Sequence, residues 1–371
     1  MCLTLGPKRW PELRGLFKRL QDRGGPKVLS TIASFIHEIA KILEPKQVAE
    51  DLLPVYTRLI DSKDDIRERV FEHVDDFIAG LPEELAWMTF LGLGEAWKCD
   101  TLGGWRAREA VALHLPAFLK LFTARDVDVT PILDMTSAAL LDKFAAVREA
   151  AIKSVPKSYQ ILQKTRFEAA YRDMIIDLSN ASAFRQRVTF TRCLKEFIKP
   201  PPHREPFERF FAQALPRLRT DVVDVRIALA QMVAALFVVG GYYGTETDIP
   251  PVISQLAQAL AEDDSADVRN AVHHVDMDRL RKGKEPASNH SEAPNLSGRG
   301  TAEEYRRATG ERTHSSEVNG NGPGLAPISS TRDNDHDPDS TPRVGQHPDP
   351  TRVVDPFATS FQHAIHDATT G

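Results

Sequence analysis

A motif that returns about every forty residues constrains this chain more than any other feature. Six stretches carry it: DSKDDIRERV, GGWRAREAVA, DKFAAVREAA, ASAFRQRVTF, VVDVRIALAQ and DSADVRNAVH. Each has an arginine early in a helical pattern, namely Arg67, Arg106, Arg148, Arg187, Arg226 and Arg269, at successive separations of 39, 42, 39, 39 and 43 residues. Asp61, Asp100, Asp142 and Asp263 each stand six residues before their arginine. The residue just before the arginine is Ile66, Trp105, Val147, Gln186, Val225 or Val268, apolar in five of the six.

Between these marks, apolar residues recur at three- and four-residue spacing, and period-two alternation is nearly absent. The pattern predicts an all-α fold of two helices per repeat, an α-solenoid of about seven HEAT-type units. In each unit the aspartate closes the turn, where a carboxylate accepts from free N–H groups and suits the positive end of the second helix. The arginine bridges to the aspartate of its own or of the next unit. The expected structural ladder is Asp61, Arg67, Asp100, Asp142, Arg148, Arg187, Arg226, Asp263 and Arg269. A degenerate first copy, WPELRGLFKRL with KVLSTIASFIHEIAKIL, has Leu29 at the arginine position, and the last unit reads as a shortened polar cap. Pro54, Pro131, Pro216 and Pro250-Pro251 fall in or at the start of first helices, where they are expected to kink the outer layer.

Composition divides the chain near residue 282. The solenoid is expected over 8–282. Residues 283–371, rich in Pro, Gly, Ser, Asp and His, lack the apolar surface to offset ordering entropy and read as a disordered polar tail. Phe357, Phe361 and Ile365 in that tail would share one helical face, as a docking motif or by accident of composition. A net charge of −5 argues against a nucleic-acid partner. MVAALFVV, the longest apolar run, is too short to span a bilayer, so no membrane partner is expected. Cys2, Cys99 and Cys193 lie far apart, and the start of the chain lacks the apolar core of a signal peptide. The location expected is cytoplasmic, and also nuclear if the basic run Arg279–Lys284 is an address rather than a charged edge.

The search for an active site predicts a non-enzyme. His73 and Asp76 lie close on one helix, with no third group placed by the sequence. His273-His274 with Asp276 project to different sides, and DNDHDPD in the tail lacks a rigid frame. Gly92-Leu93-Gly94 and Gly240-Gly241 lack the strand and helix of a phosphate loop. Asn180 and Asn289 match a glycosylation pattern that carries no weight without a secretory signal. No cofactor or metal is expected. A HEAT-type DNA glycosylase would need a basic concave groove with a central acid, and a HEAT-type hydroxylase a repeated His-Glu pair; neither is legible. IRERVFEHVDDFI, for one, is of mixed charge.

The ordered succession GGWRAREAVALHLPAFLKLF, DKFAAVREAAIKSV, FRQRVTFTRCL, VVDVRIALAQ and DSADVRNAV resembles the HEAT-repeat regulatory and scaffold subunits of the PPP-type serine/threonine phosphatases. RWPELRGLFKRL, STIASFIHEIAKIL and AEDLLPVYTRLI look most like the phosphatase 4 regulatory group, and the later units are shared with the phosphatase 2A scaffold. The resemblance covers about residues 8–275. It implies that the turns form a ridge gripping a phosphatase catalytic subunit, so that the chain would steer that enzyme towards phosphoprotein substrates. Carried over, the gripping residues are Trp105, Arg106, Phe144, Phe184, Arg185, Asp224 and Asp267. Phe144 and Phe184 stand where that family often has tyrosine. Trp105 has two readings: an anchor for a partner, or a filler between units. The family has many more repeats, so this chain reads as a fragment or a reduced form. The alternative function is a transport or coat adaptor binding clients on its concave face.

Overall fold

The structure, a computed structural model, describes residues 6–199, 204–237, 242–243 and 249–275, the side chain of residue 64 excepted. The predicted polar tail, the boundary at 282, the Phe357–Ile365 stripe, the basic run and the Gly240-Gly241 pair lie outside these residues.

Among the described residues every regular element is helical, and the helices fall into seven successive pairs. The first pair is α1 (Trp10–Arg23) and α2 (Pro26–Ile42). The second joins α3 (Leu53–Ile60) to α4 (Asp64–Phe71) and α5 (Val74–Ala79). Then come α6 (Glu83–Lys98) with α7 (Trp105–Thr123), α8 (Thr130–Leu140) with α9 (Ala145–Leu162), and α10 (Glu168–Asn180) with α11 (Phe184–Phe197). The sixth pair ends in α12 (Val223–Leu236), and the seventh is α13 (Pro251–Ala261) with α14 (Ala266–Val272). Second helices stack in order: α2 on α4 and α5, these on α7, then α9, α11, α12 and α14. The all-α solenoid expected from the repeat is what forms.

The stacking follows from the apolar stripe of each second helix. In α9, Val147, Ala151, Val155 and Tyr159 recur four residues apart, and all are buried. Val111, Leu115, Phe118 and Phe122, at spacings of four, three and four, are likewise buried in α7. Each buried side chain of this size stabilises by roughly 2 kcal/mol, and a single repeat has no partner surface of its own.

Three elements are less regular than the pattern predicts, the first being the first helix of unit two, where a short α turn and a π turn, Pro45–Gln47 and Val48–Leu52, precede α3. The second helix of unit two breaks between α4 and α5, where His73 leaves the helical region at φ −137°, ψ 37°. The first helix of unit six is replaced by short turns of α, π and 3₁₀ type, at Arg204–Pro206, Phe207–Phe211, Ala212–Ala214 and Pro216–Thr220. Pro206 and Pro216 withhold two N–H donors there, which prevents one continuous ladder. Of the prolines expected in or at the start of first helices, Pro131 and Pro251 open α8 and α13, where no N–H is needed, whereas Pro54 follows a π turn and Pro216 a 3₁₀ turn inside continuous helical runs. The internal prolines are Pro116 and Pro156, both buried in second helices.

Candidate functional site

The turns between paired helices line up along the stack, and the repeated arginine organises each one. Arg187 donates from Nη1 to the carbonyl oxygens of Ala181 and Ser182 in its own turn. Its Nε and Nη2 grip the Asp221 carboxylate of the following turn, with Nη2 at 2.8 Å from Oδ1. Arg226 repeats this, with Nη1 on Asp221 O at 2.7 Å and its other nitrogens on Asp263 at 2.8 and 3.0 Å. Arg269 caps the carbonyls of Asp263 and Asp264, and Arg67 those of Ile60 and Ser62. The aspartates also close their turns: Asp142, Asp221 and Asp263 accept from the N–H groups of Phe144, Val222 and Ser265. Arg187 holds the Asp221 carboxyl below the usual range. Burial pulls Asp263 up, but the Arg226 hydrogen bonds, the Ser265 N–H and the charges of Arg226 and Arg269 together outweigh it and the net shift is down.

Unit three departs from the expected register. Arg108, rather than Arg106, takes the ladder place: it is 4% exposed and bonds Asp100 at 2.9 Å and Asp142 at 2.8 Å. Its turn is two residues longer than the others, so spacing from Asp100 pointed to the wrong arginine. Asp221 was missed for the opposite reason, since it precedes its arginine by five residues rather than six. The motif REA, shared by Arg108 and Arg148, is the signal that would have placed Arg108. Asp61 caps the end of α3 in the turn whose carbonyls Arg67 holds, and Ile66, Val147, Val225 and Val268 before their arginines are buried.

Freed from the ladder, Arg106 lies on the outside of the ridge. Its guanidinium stacks over the Trp105 ring at 4.5 Å and stands 3.8 Å from Glu68. Trp105 is half-buried against the core, with its ring 6.2 Å from that of Phe144 and nearly parallel. Lys143 and Arg108 lie 5.6 and 5.5 Å from the Phe144 ring. Units three and four thus present two aromatic faces lined with cations, and Phe144 is 39% exposed. The glycine before this cluster has a steric cause. Gly103 sits at φ +104°, and a Cβ there would lie 2.6 Å from Arg67 Nη1.

Further along the ridge Phe184 is 38% exposed and opens α11, with Arg185 beside it on the surface. Asp224 lies in the first turn of α12 and Asp267 in that of α14, both exposed. Arg106, Arg185, Asp224 and Asp267 share one position, two residues before the ladder arginine, so the fold sets them in a row. Phe184 and Trp105 share the position before that.

Chemistry-bearing clusters elsewhere take other forms. The fold brings His37 of α2 to His73 and Asp76, a third group that sequence spacing did not reveal; their ligating atoms lie within 4.8 Å of one another. The imidazole rings stack at 3.8 Å, and Lys41 holds Asp76 at 2.8 Å. Stacked rings do not converge on a common point as tetrahedral ligation requires, and the ammonium already neutralises the carboxylate. Burial and the neighbouring His73 push the His37 imidazole towards its neutral form. His273 and His274 meet edge to face, and Asp276 lies outside the described residues, as do Asn289 and the acidic run of the tail. Gly92 and Gly94 are inside α6, and Asn180 is the last residue of α10. Cys193 is buried, which raises its thiol, and Cys99 is exposed. Among the described residues no helix is long and apolar enough to cross a membrane.

A succession of stacked helical units, most of them pinned by arginines at their turns, defines a HEAT-type α-solenoid with a ridge of exposed turns. Sequence comparison narrows the class. Residues 1–93 match the family described as protein phosphatase 4 regulatory subunit 1 middle domain. Over 279 residues, 72% of its length, the chain is 26% identical to serine/threonine-protein phosphatase 4 regulatory subunit 1 of Homo sapiens. It is equally similar to the proteins of that name from Mus musculus and Rattus norvegicus. The resemblance to phosphatase regulatory subunits read from the repeats is borne out. The chain spans 29% of the length of these relatives.

Proposed function

We propose that this chain acts as a non-catalytic regulatory or scaffold subunit of a PPP-type serine/threonine phosphatase, of the phosphatase 4 kind. It would bind the catalytic subunit through the ridge of turns and direct it towards phosphoprotein substrates. The observation that carries this reading is the cluster of Trp105, Arg106 and Phe144, two stacked aromatic faces with cations over them on exposed turns. Half-exposed tryptophan and arginine are the residue types that dominate binding energy at interfaces. The names borne by the similar proteins supply the partner class. Hydrolytic chemistry would reside in the partner, and cytoplasm and nucleus are the compartments in which the pair would work.

The test is capture of partners by the tagged full chain, wild type and Trp105→Ala, with phosphatase activity assayed on the beads. The reading expects a PPP catalytic subunit with the wild type and its loss with the variant, at unchanged helicity. Equal recovery by both places docking elsewhere, as on the concave face of an adaptor. Recovery by neither sinks the reading for this chain.

A further inference from the structure

The ladder is broken at Arg148. Arg108, Arg187 and Arg226 each hold the carboxylate of the following turn. The turn that follows Arg148 offers Ala181 and Ser182 at the matching places, and neither has a carboxylate. Arg148 uses Nη1 on the carbonyls of Asp142 and Lys143, at 2.6 and 3.1 Å, and makes no ion pair among the described residues.

Arg148 also lines a cavity of about 500 Å³ between α9, α11 and α12. Lys143, Arg148, Arg185 and Arg192 line it, against a single lining carboxylate, Asp224. Arg192 is satisfied by Glu149, and Lys143 has Asp100 at 3.6 Å. Arg148 and Arg185 carry charge into the cavity without an acidic partner among the described residues. The remaining lining mixes the polar Thr189 and Gln231 with the apolar Phe184, Ile152, Val188 and Ile227. Two unneutralised guanidiniums beside apolar side chains make a site for an acidic group flanked by a hydrophobic one.

We propose that this cavity binds an extended peptide segment of a partner protein, whose phosphate or carboxylate pairs with Arg148, an arginine with no aspartate opposite it. The same group reaches Arg185, and an adjacent apolar side chain packs on Phe184. A phosphorylated residue is the better fit, because its three acceptor oxygens and nearly double charge match two guanidinium forks. Nucleic acid fits less well: the cavity is local, Phe184, Ile152, Val188 and Ile227 are part of its lining, and the chain carries a net charge of −5.

The experiment uses the purified full chain and short fluorescent peptides with phosphoserine, glutamate or serine at the centre, flanked by leucine and phenylalanine, with binding read by anisotropy. No phosphatase is present, so the result is independent of the ridge reading. The expected order is phosphoserine over glutamate, with serine unbound. Ala181→Asp restores the carboxylate to Arg148; it should weaken phosphopeptide binding at least about tenfold while the melting temperature stays level or rises. Arg148→Gln and Arg185→Gln should weaken it similarly. In the phosphatase capture assay, Ala181→Asp should retain whatever the wild type retains. Equal affinity for the serine and phosphoserine peptides overturns the proposal. So does phosphopeptide binding that survives both Ala181→Asp and Arg148→Gln.

Discussion

Arg226 and Asp263 face each other across the last seam of the stack, joined by Nε–Oδ2 and Nη2–Oδ1 contacts of 2.8 and 3.0 Å. The same guanidinium closes its own turn through Asp221 O. One side chain therefore sets two turns at once, and the pairs Arg108–Asp142 and Arg187–Asp221 do the same further up. Predictions about stability follow from how deeply each pair is buried and whether it is complete.

Asp142→Asn should be the most costly of the ladder changes. Arg108 and Asp142 are about 95% buried at their side chains, and removing the Asp142 charge leaves Arg108 with only the exposed Asp100. The expected loss is about 3 kcal/mol, read as a lower midpoint in urea. A midpoint equal to wild type would show that the pair is not formed.

Arg148 and Arg187 occupy equivalent places with unequal partners. Arg187→Gln removes a two-pronged carboxylate contact and should cost about 2 kcal/mol. Arg148→Gln removes only hydrogen bonds to two carbonyls and should cost about 1 kcal/mol or less. The sequence alone predicted that Arg148 is a full ladder member, so the ranking of these two variants separates that expectation from the structure.

Gly103→Ala forces a Cβ onto a backbone at φ +104° and against the Arg67 guanidinium. A loss of about 2 kcal/mol is expected, with Arg67 displaced from its turn. Gly104→Ala, in extended backbone with open space around it, is the control and should be near neutral.

Stability should fall with acid in two stages. Burial and His73 depress His37, so the folded state binds fewer protons there than the unfolded chain; its contribution is full above about pH 6.5 and is lost as pH falls through the folded value. Asp221 and Asp263 are depressed too, so their contribution is full above about pH 4 and is lost below it, as pH falls through their folded values. Melting temperature against pH should show both declines. His37→Phe should abolish the first and keep the second, whereas a single decline in the wild type would contradict the depressed His37.

Much of this was legible in the sequence. Helices follow from three- and four-residue apolar spacing, and the units follow from an arginine returning in register, because both are local properties of a stacked repeat. The aromatic and arginine at the head of α7 could be read off as a pair, Trp105 and Arg106. What the sequence could not tell is which groups meet across units. A turn lengthened by two residues gave the ladder place to Arg108 and left Arg106 to stack on Trp105. A turn shortened by one made Asp221 the acceptor for Arg187, and Ala181 left Arg148, which lines a cavity, without a carboxylate opposite it. His37 reaches His73 only because α2 packs on α4 and α5. Helix formation and repeat length are encoded within a few neighbouring residues. The partner of a guanidinium is decided by side-chain reach between units some forty residues apart, where a shift of one or two residues in a turn exchanges one partner for another.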